Sequence, residues 1–311
     1  MARGTLAEQQ DFLKILYYGE PKSGKTTASA ALAKLGRTIH IDAEAGLKGR
    51  PLVEHGIPIG NIEVHRGITV EELDALFWEV KGELAGGDGP VGLIWDSVSE
   101  SSKKLLEITA AKGFEKAQRL NKPREQYSTF VEDYGSNTAE MRHLTRQFRD
   151  LECHVAFVAL ERRDVDESDG TVKYGPDLTP RLAGDLLGYV DVICHTYTVE
   201  TAGEPEYWGQ FRNVGKYVGG DRFHALPPTL INPSFDRVLA YITGDLDLET
   251  DPDMQVEHHD EPLETPGAPG VESTPPGTEA PQGPPSERRV RTPAKKAATV
   301  VKATPKLAVP R

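Results

Sequence analysis

An α/β fold, with a mostly parallel β-sheet flanked by helices, is what the sequence predicts, on three observations. Short, near-continuous apolar runs alternate with segments of helical periodicity, the pattern of strands buried on both faces by crossover helices. The run Gly19-Glu20-Pro21-Lys22-Ser23-Gly24-Lys25-Thr26 fits the phosphate-cradling pattern G-x-x-x-x-G-K-[ST] and falls between the first apolar run and a helix-forming stretch. Asp96 closes another apolar run, which puts a carboxylate at the strand end where ligands of open α/β sheets bind.

Taken in order, residues 13–18 read as the first strand and residues 26–34, rich in Ala and Leu, as the first helix. Residues 38–42 are a second strand, followed by a glycine-containing loop, and residues 62–65 a short third strand. Residues 70–84 place Leu73, Leu76, Phe77, Val80 and Leu84 at helical spacing and stop against Gly86-Gly87. A strand over 91–95 and a helix over 99–111 come next, then a helix over 140–151 with Met141, Leu144, Phe148 and Leu151 on one face. Strands follow at 155–160 and 189–194, and the stretches 207–214 and 237–242 read as late strands extending the sheet. Right-handed crossovers would bring the functional strand ends to one edge.

The cradle motif carries a definite chemistry. Its glycines let the backbone curl so that successive N–H groups point inward, toward the positive end of the helix that begins there. An anion belongs in that place, and residues Gly19, Glu20, Pro21, Lys22, Ser23, Gly24, Lys25, Thr26 and Thr27 would surround the phosphates of a nucleoside triphosphate. Lys25 would reach the β- and γ-phosphates, and the Thr26 hydroxyl would help coordinate Mg²⁺. Hydrolysis further needs one carboxylate to hold the metal through water and another to orient the attacking water. Asp96 is the candidate for the metal. Glu44, just beyond the second strand on the same edge of the sheet, is the candidate general base, with Glu100 as the runner-up acid.

The three segments Gly19 to Thr27, Ile41-Asp42-Ala43-Glu44 and Ile94-Trp95-Asp96-Ser97 resemble, in order and on the same elements, the nucleotide site of RecA-type recombinases. The short build is similar to the phage RecA-like ATPases associated with single-strand annealing, and the resemblance covers residues 10–240. It implies ATP as the nucleotide, Glu44 as the residue that activates water, and a homo-oligomer with ATP between neighbouring subunits. It further implies that Glu161, directly after the apolar run 155–160, senses the γ-phosphate, although that family carries an amide there. A basic side chain from the last strands would cross to a neighbour's γ-phosphate, and Lys216 is preferred over Arg212 and Arg222. For single-stranded DNA the best candidates are Lys112, Lys116, Arg119, Lys122 and Arg124, with Phe114 and Tyr127 as stacking surfaces. The loop from residue 162 to 176 holds Arg162, Arg163 and Lys173 but is too acidic to be preferred. A nucleotide or small-molecule kinase and a non-hydrolysing switch that recruits replication proteins are the alternative readings of the same cradle.

Composition sets the outer limits. Of 311 residues, 36 are basic and 48 acidic, a net charge of −12 that argues against coating nucleic acid by bulk electrostatics. The expected domains are a RecA-like ATPase domain over residues 1–245 and a disordered tail over 246–311, crowded with Pro, Gly, Thr and Glu. The tail is acidic up to Glu287 and basic from Arg288 to Arg311, which suits a salt-sensitive contact with nucleic acid or with a single-strand-binding or replication protein. Cys153 and Cys194 fall at or within predicted strands, as core thiols of a reducing compartment would. No apolar run approaches the length of a membrane span and no export signal is evident, so a cytoplasmic protein is expected.

Overall fold

The computed structural model describes residues 12–165, 170–201 and 203–254. The chain divides into a unit spanning Met1–His258 and a second, His259–Arg311, that lies outside the described residues together with the tail reading placed on it.

In chain order the elements are β1 (Lys14–Gly19), α1 (Lys25–Ala30), β2 (Thr38–Asp42), α2 (Gly49–Glu54), β3 (Ile62–His65), α3 (Val70–Gly86), β4 (Gly92–Asp96), α4 (Val98–Arg119) and α5 (Val131–Arg149). They continue with β5 (His154–Val165), β6 (Val172–Pro176), α6 (Pro180–Tyr189), β7 (Val192–Thr201), β8 (Glu204–Gln210), β9 (Gly220–Asp221), β10 (Thr229–Ile231) and α7 (Phe235–Thr243). The strands form one 10-stranded sheet in the order β10-β8-β7-β1-β5-β4-β2-β3, with β6 paired to β5 and β9 to β7. From β7 to β3 the pairing is parallel, whereas β8 and β10 add on antiparallel. The expected mostly parallel α/β sheet is therefore the observed one.

Successive strand residues divide between two cores, which explains the unbroken apolar runs. Leu16 and Tyr18 of β1, Leu93 and Trp95 of β4, and Val155, Phe157 and Ala159 of β5 pack under α3, α4, α5 and α6. Their alternates Ile15 and Tyr17, Ile94, and Ala156 and Val158 pack under α1, α2 and α7. Cys153 and Cys194 are both buried free thiols, and burial pushes the Cys153 thiol up to about 11. Among the described residues no helix is long and apolar enough to cross a membrane.

Several expected elements differ from those observed. The stretch 237–242 is not a strand but most of α7, whose Phe235, Val238 and Tyr241 share one buried face and which ends on Gly244 at φ 81°. A short run of Val, Leu, Tyr and Ile fits either period, and its packing against α1 decides for helix. The region from residue 162 to 176 is a hairpin rather than a loop, because β5 runs on to Val165 and pairs with β6. Residues 166–169 at its tip lie outside the described residues. Tyr189 ends α6 instead of opening β7.

Helix α4 continues well past residue 111. Gly113 does not break it: a Cβ there would come within 2.5 Å of the Arg124 guanidinium, so the glycine admits a close contact. Residues 246–254 pack against α7 through Leu246, Met254 and Asp251. Asp251 is buried, accepts the Tyr241 hydroxyl at 2.8 Å and is paired with Arg237.

Candidate active site

The cradle forms because β1 delivers Gly19 to the sheet edge and α1 begins at Lys25. A Cβ on Gly19 would lie 2.1 Å from the Thr196 carbonyl oxygen, and Gly24 turns the chain at φ 85°, so both positions require glycine. Ser23 Oγ is hydrogen-bonded to Thr196 Oγ1 at 2.7 Å, which ties the loop to β7. Lys25 is buried and its Nζ donates to the carbonyls of Gly19 at 3.0 Å and Glu20 at 2.5 Å. Burial pushes the ammonium below the usual lysine range, against the raising influence of Asp96 and Glu44.

The carboxylates reach the same place through the parallel register. Asp42 and Asp96 are paired residues at the ends of β2 and β4, and Ala43 N donates to the Asp96 carbonyl at 2.8 Å. Asp42 Oδ1 accepts from Gly46 N at 3.0 Å, closing the loop that carries Glu44. Ser97 Oγ donates to Glu44 Oε1 at 2.7 Å, and Ser97 also caps α4 by accepting from Glu100 N at 3.2 Å. Thr26 Oγ1 donates to Asp96 Oδ2 at 2.6 Å. Pro21 to Thr27, Glu44, Asp96 and Ser97 all line one cavity of about 830 Å³, large enough for a nucleotide. Glu100 is absent from that lining and faces Lys104 instead, at 3.6 Å.

Strand β5 lies between the cradle strand and the Asp96 strand, and Glu161 stands just past Leu160, its last residue paired with the cradle strand, where the hairpin with β6 begins. Among the described residues Glu161 forms no ion pair with Arg162 or Arg163. His195 Nε2 lies 2.7 Å from Glu161 Oε2, both side chains buried. His195 in turn stacks on Tyr217 at 4.2 Å, and Tyr217 on Tyr174 at 4.8 Å. Lys216 is exposed, lies outside the lining of the cavity, and its carbonyl accepts from Tyr174 N at 2.8 Å. Arg222 pairs with Asp191 at 3.0 Å and Arg212 reaches the Leu226 carbonyl. No ion pair among the described residues engages Lys216.

The basic stretch after residue 111 lies on the far part of α4 and the turn beyond it. Lys112 stands 3.5 Å from Glu71 and Arg119 3.6 Å from Glu115, while Lys116 and Lys122 are exposed. Arg124 does not belong with them. It is largely withdrawn from solvent, paired with Asp133 at 2.5 Å, and also bonded to the carbonyls of Ala110 and Ser128, so it joins α4 to α5 rather than facing a ligand.

Sequence reasoning missed Ser97 as the partner of Glu44, and His195 as the partner of Glu161, contacts spanning 53 and 34 residues. It also missed His40, fully buried 3.7 Å from Asp96, with both ring nitrogens lacking a hydrogen-bond partner. A histidine set between Ile39 and Ile41 of a short strand was the available signal.

Cradle, buried lysine and converging carboxylates on a mostly parallel sheet define a P-loop nucleotide-binding protein. A family model described as "AAA domain" matches residues 11–223, well over half the chain, and the protein belongs to that family of nucleotide-binding ATPases. No curated protein matches it.

The residues present fit a magnesium ion. The Thr26 hydroxyl and Asp96 carboxylate already share one locus at the mouth of the cradle, and these two would hold the ion, which supplies charge neutralisation at the phosphate oxygens. The chain's own groups do the rest. With a triphosphate bound, Lys25 would exchange its two carbonyl acceptors for phosphate oxygens, and Glu44, whose Oε1 accepts from Ser97, would be the group placed to take a proton from water.

Proposed function

We propose that the protein is a Mg²⁺-dependent ATPase that assembles as a homo-oligomer and acts on single-stranded DNA in recombination, repair or annealing. The observation that carries the catalytic part is the convergence of Lys25, Thr26, Asp96 and Glu44 on one cavity. Glu44 accepts a proton from the attacking water and Glu161 reports the presence of the γ-phosphate. In support of that second role, Glu161 is tied through His195, Tyr217 and Tyr174 to the β5–β6 hairpin and to the backbone of Lys216. Lys216 serves a neighbouring subunit's phosphates.

The DNA part rests on the resemblance to RecA-like ATPases and on the far end of α4. There Lys112, Lys116 and Lys122 are exposed, and Tyr127, a few residues further along the chain, is 88% exposed and offers a ring face to a base. The test is ATP turnover by the full chain with and without single-stranded DNA. Stimulation by DNA is expected. Phosphate transfer to an added nucleoside monophosphate would replace the reading with a kinase, and binding without turnover with a switch.

A further inference from the structure

The cavity continues past the cradle on the side away from the carboxylates, and the strand order gives it a direction. Glu44 and Asp96 follow β2 and β4, on one side of the cradle strand β1. Tyr207 on β8 and Asn232 after β10 lie on the other side and line the same cavity, with Pro233, Arg237 and Asp253. A triphosphate whose γ end meets Glu44 and Asp96 therefore points its α end, and whatever is joined to it, toward β8 and β10.

We infer that Tyr207, Asn232 and Asp253 form the nucleoside subsite, which takes a flat base and its ribose; this rests on the triphosphate reading above. Tyr207 adjoins the cradle, since a Cβ on Gly24 would come within 3.0 Å of its ring. Its ring and Pro233 supply apolar surface for a base. Asn232 is held by its own backbone N–H, which donates to the Tyr207 carbonyl at 2.7 Å, and its Nδ2 lies 3.4 Å from Asp253 Oδ2. Arg237 Nη1 donates to that same oxygen at 2.7 Å. Among the described residues both side-chain contacts fall on Oδ2, which leaves Oδ1 as an acceptor for ribose hydroxyls or an exocyclic amine.

A bare carboxylate beside a triphosphate would repel it, and the Arg237 guanidinium offsets that charge. Arg237 is itself 16% exposed and anchored by Asp251, which also receives the Tyr241 hydroxyl, so the wall is preset before a ligand arrives. The segment that closes the subsite thus belongs to the stretch whose composition reads as tail.

Titration calorimetry on the full chain with Mg²⁺ separates this proposal from the one beneath it, using ATP and inorganic tripolyphosphate as ligands. The unaltered chain is expected to bind ATP about tenfold tighter than tripolyphosphate or better. Tyr207→Ala, Asn232→Ala and Asp253→Ala should each lose roughly tenfold for ATP and keep their tripolyphosphate affinity within about twofold, which also shows them folded. ATP affinity unchanged in all three, or an equal fall for both ligands, would overturn the subsite. Equal affinity of the unaltered chain for the two ligands would do the same while leaving the cradle reading intact, whereas binding of neither would remove both.

Discussion

Lys25 and Arg124 are both basic side chains drawn out of water, but their surroundings assign them different work. Among the described residues Lys25 is bonded to neutral acceptors alone, its own loop's carbonyls and the Ser23 hydroxyl, and opens onto a cavity. An anion can replace those acceptors at little cost in structure. Arg124 meets a buried carboxylate, two carbonyls and the Phe130 ring, so its charge is already used in joining α4 to α5. The amino-terminal edge of the same sheet supplies a third case. There Lys14, pushed down to about 8 by burial, and His154, pushed down to about 4, are enclosed and do not line the cavity. Burial of a base marks a ligand site only where a cavity and exchangeable partners accompany it.

This contrast can be broken or sharpened by experiment. The largest effect is expected for Glu44→Gln, which should keep ATP binding and lose about 10²-fold or more in turnover, measured as phosphate release. Normal turnover would return the role to another acid. Lys25→Ala should weaken triphosphate binding by about 10²-fold while leaving the thermal midpoint nearly unchanged, because no buried carboxylate loses its partner. Arg124→Ala should do the reverse. Breaking the pair with Asp133 is expected to cost about 3 kcal/mol in denaturant unfolding, with ATP affinity retained. A folded and stable Arg124→Ala that loses only DNA binding would show that the structural assignment is mistaken.

Smaller effects follow at the exposed positions and at the far edge of the sheet. Replacing Lys112, Lys116 and Lys122 together by Ala should lower affinity for single-stranded DNA and reduce the salt dependence of binding by about two ions, without altering basal ATP turnover. His154 Nδ1 accepts from Leu13 N at 3.0 Å, so the folded chain holds the ring neutral. With the folded value depressed from 6.5 to about 4, the unfolded state takes up the proton first as pH falls. Stability should therefore decline between pH 6.5 and 4 by on the order of 1–2 kcal/mol, and His154→Gln should flatten that decline.

The nucleotide end of the molecule was legible because its signals are local. Gly19 to Thr26 are contiguous, Asp96 ends its own apolar run, and Glu44 lies two residues beyond the end of β2. Such features follow from chain geometry over a few residues and survive any packing. Helix α7 was misread because residues 237–242 carry too short an apolar run to fix a period. The outer reach of α4 was cut short because charged residues on a helix that leaves the core carry little periodicity. Arg124 looked like its basic neighbours because the acid that claims it, Asp133, stands nine residues further on.

By itself, then, the sequence determined the alternation of strands and helices around the glycine-rich turn, that turn itself, and the carboxylates placed at the ends of the strands beside it, all consequences of backbone sterics and short-range polarity. Only the tertiary structure decided which charges remain available to a ligand. It paired Glu161 with His195, withdrew Arg124, and carried Asp253 across the sheet to the side of Tyr207. Those outcomes depend on which desolvated groups meet, and partners far apart in the chain become neighbours only when the sheet brings its strands together.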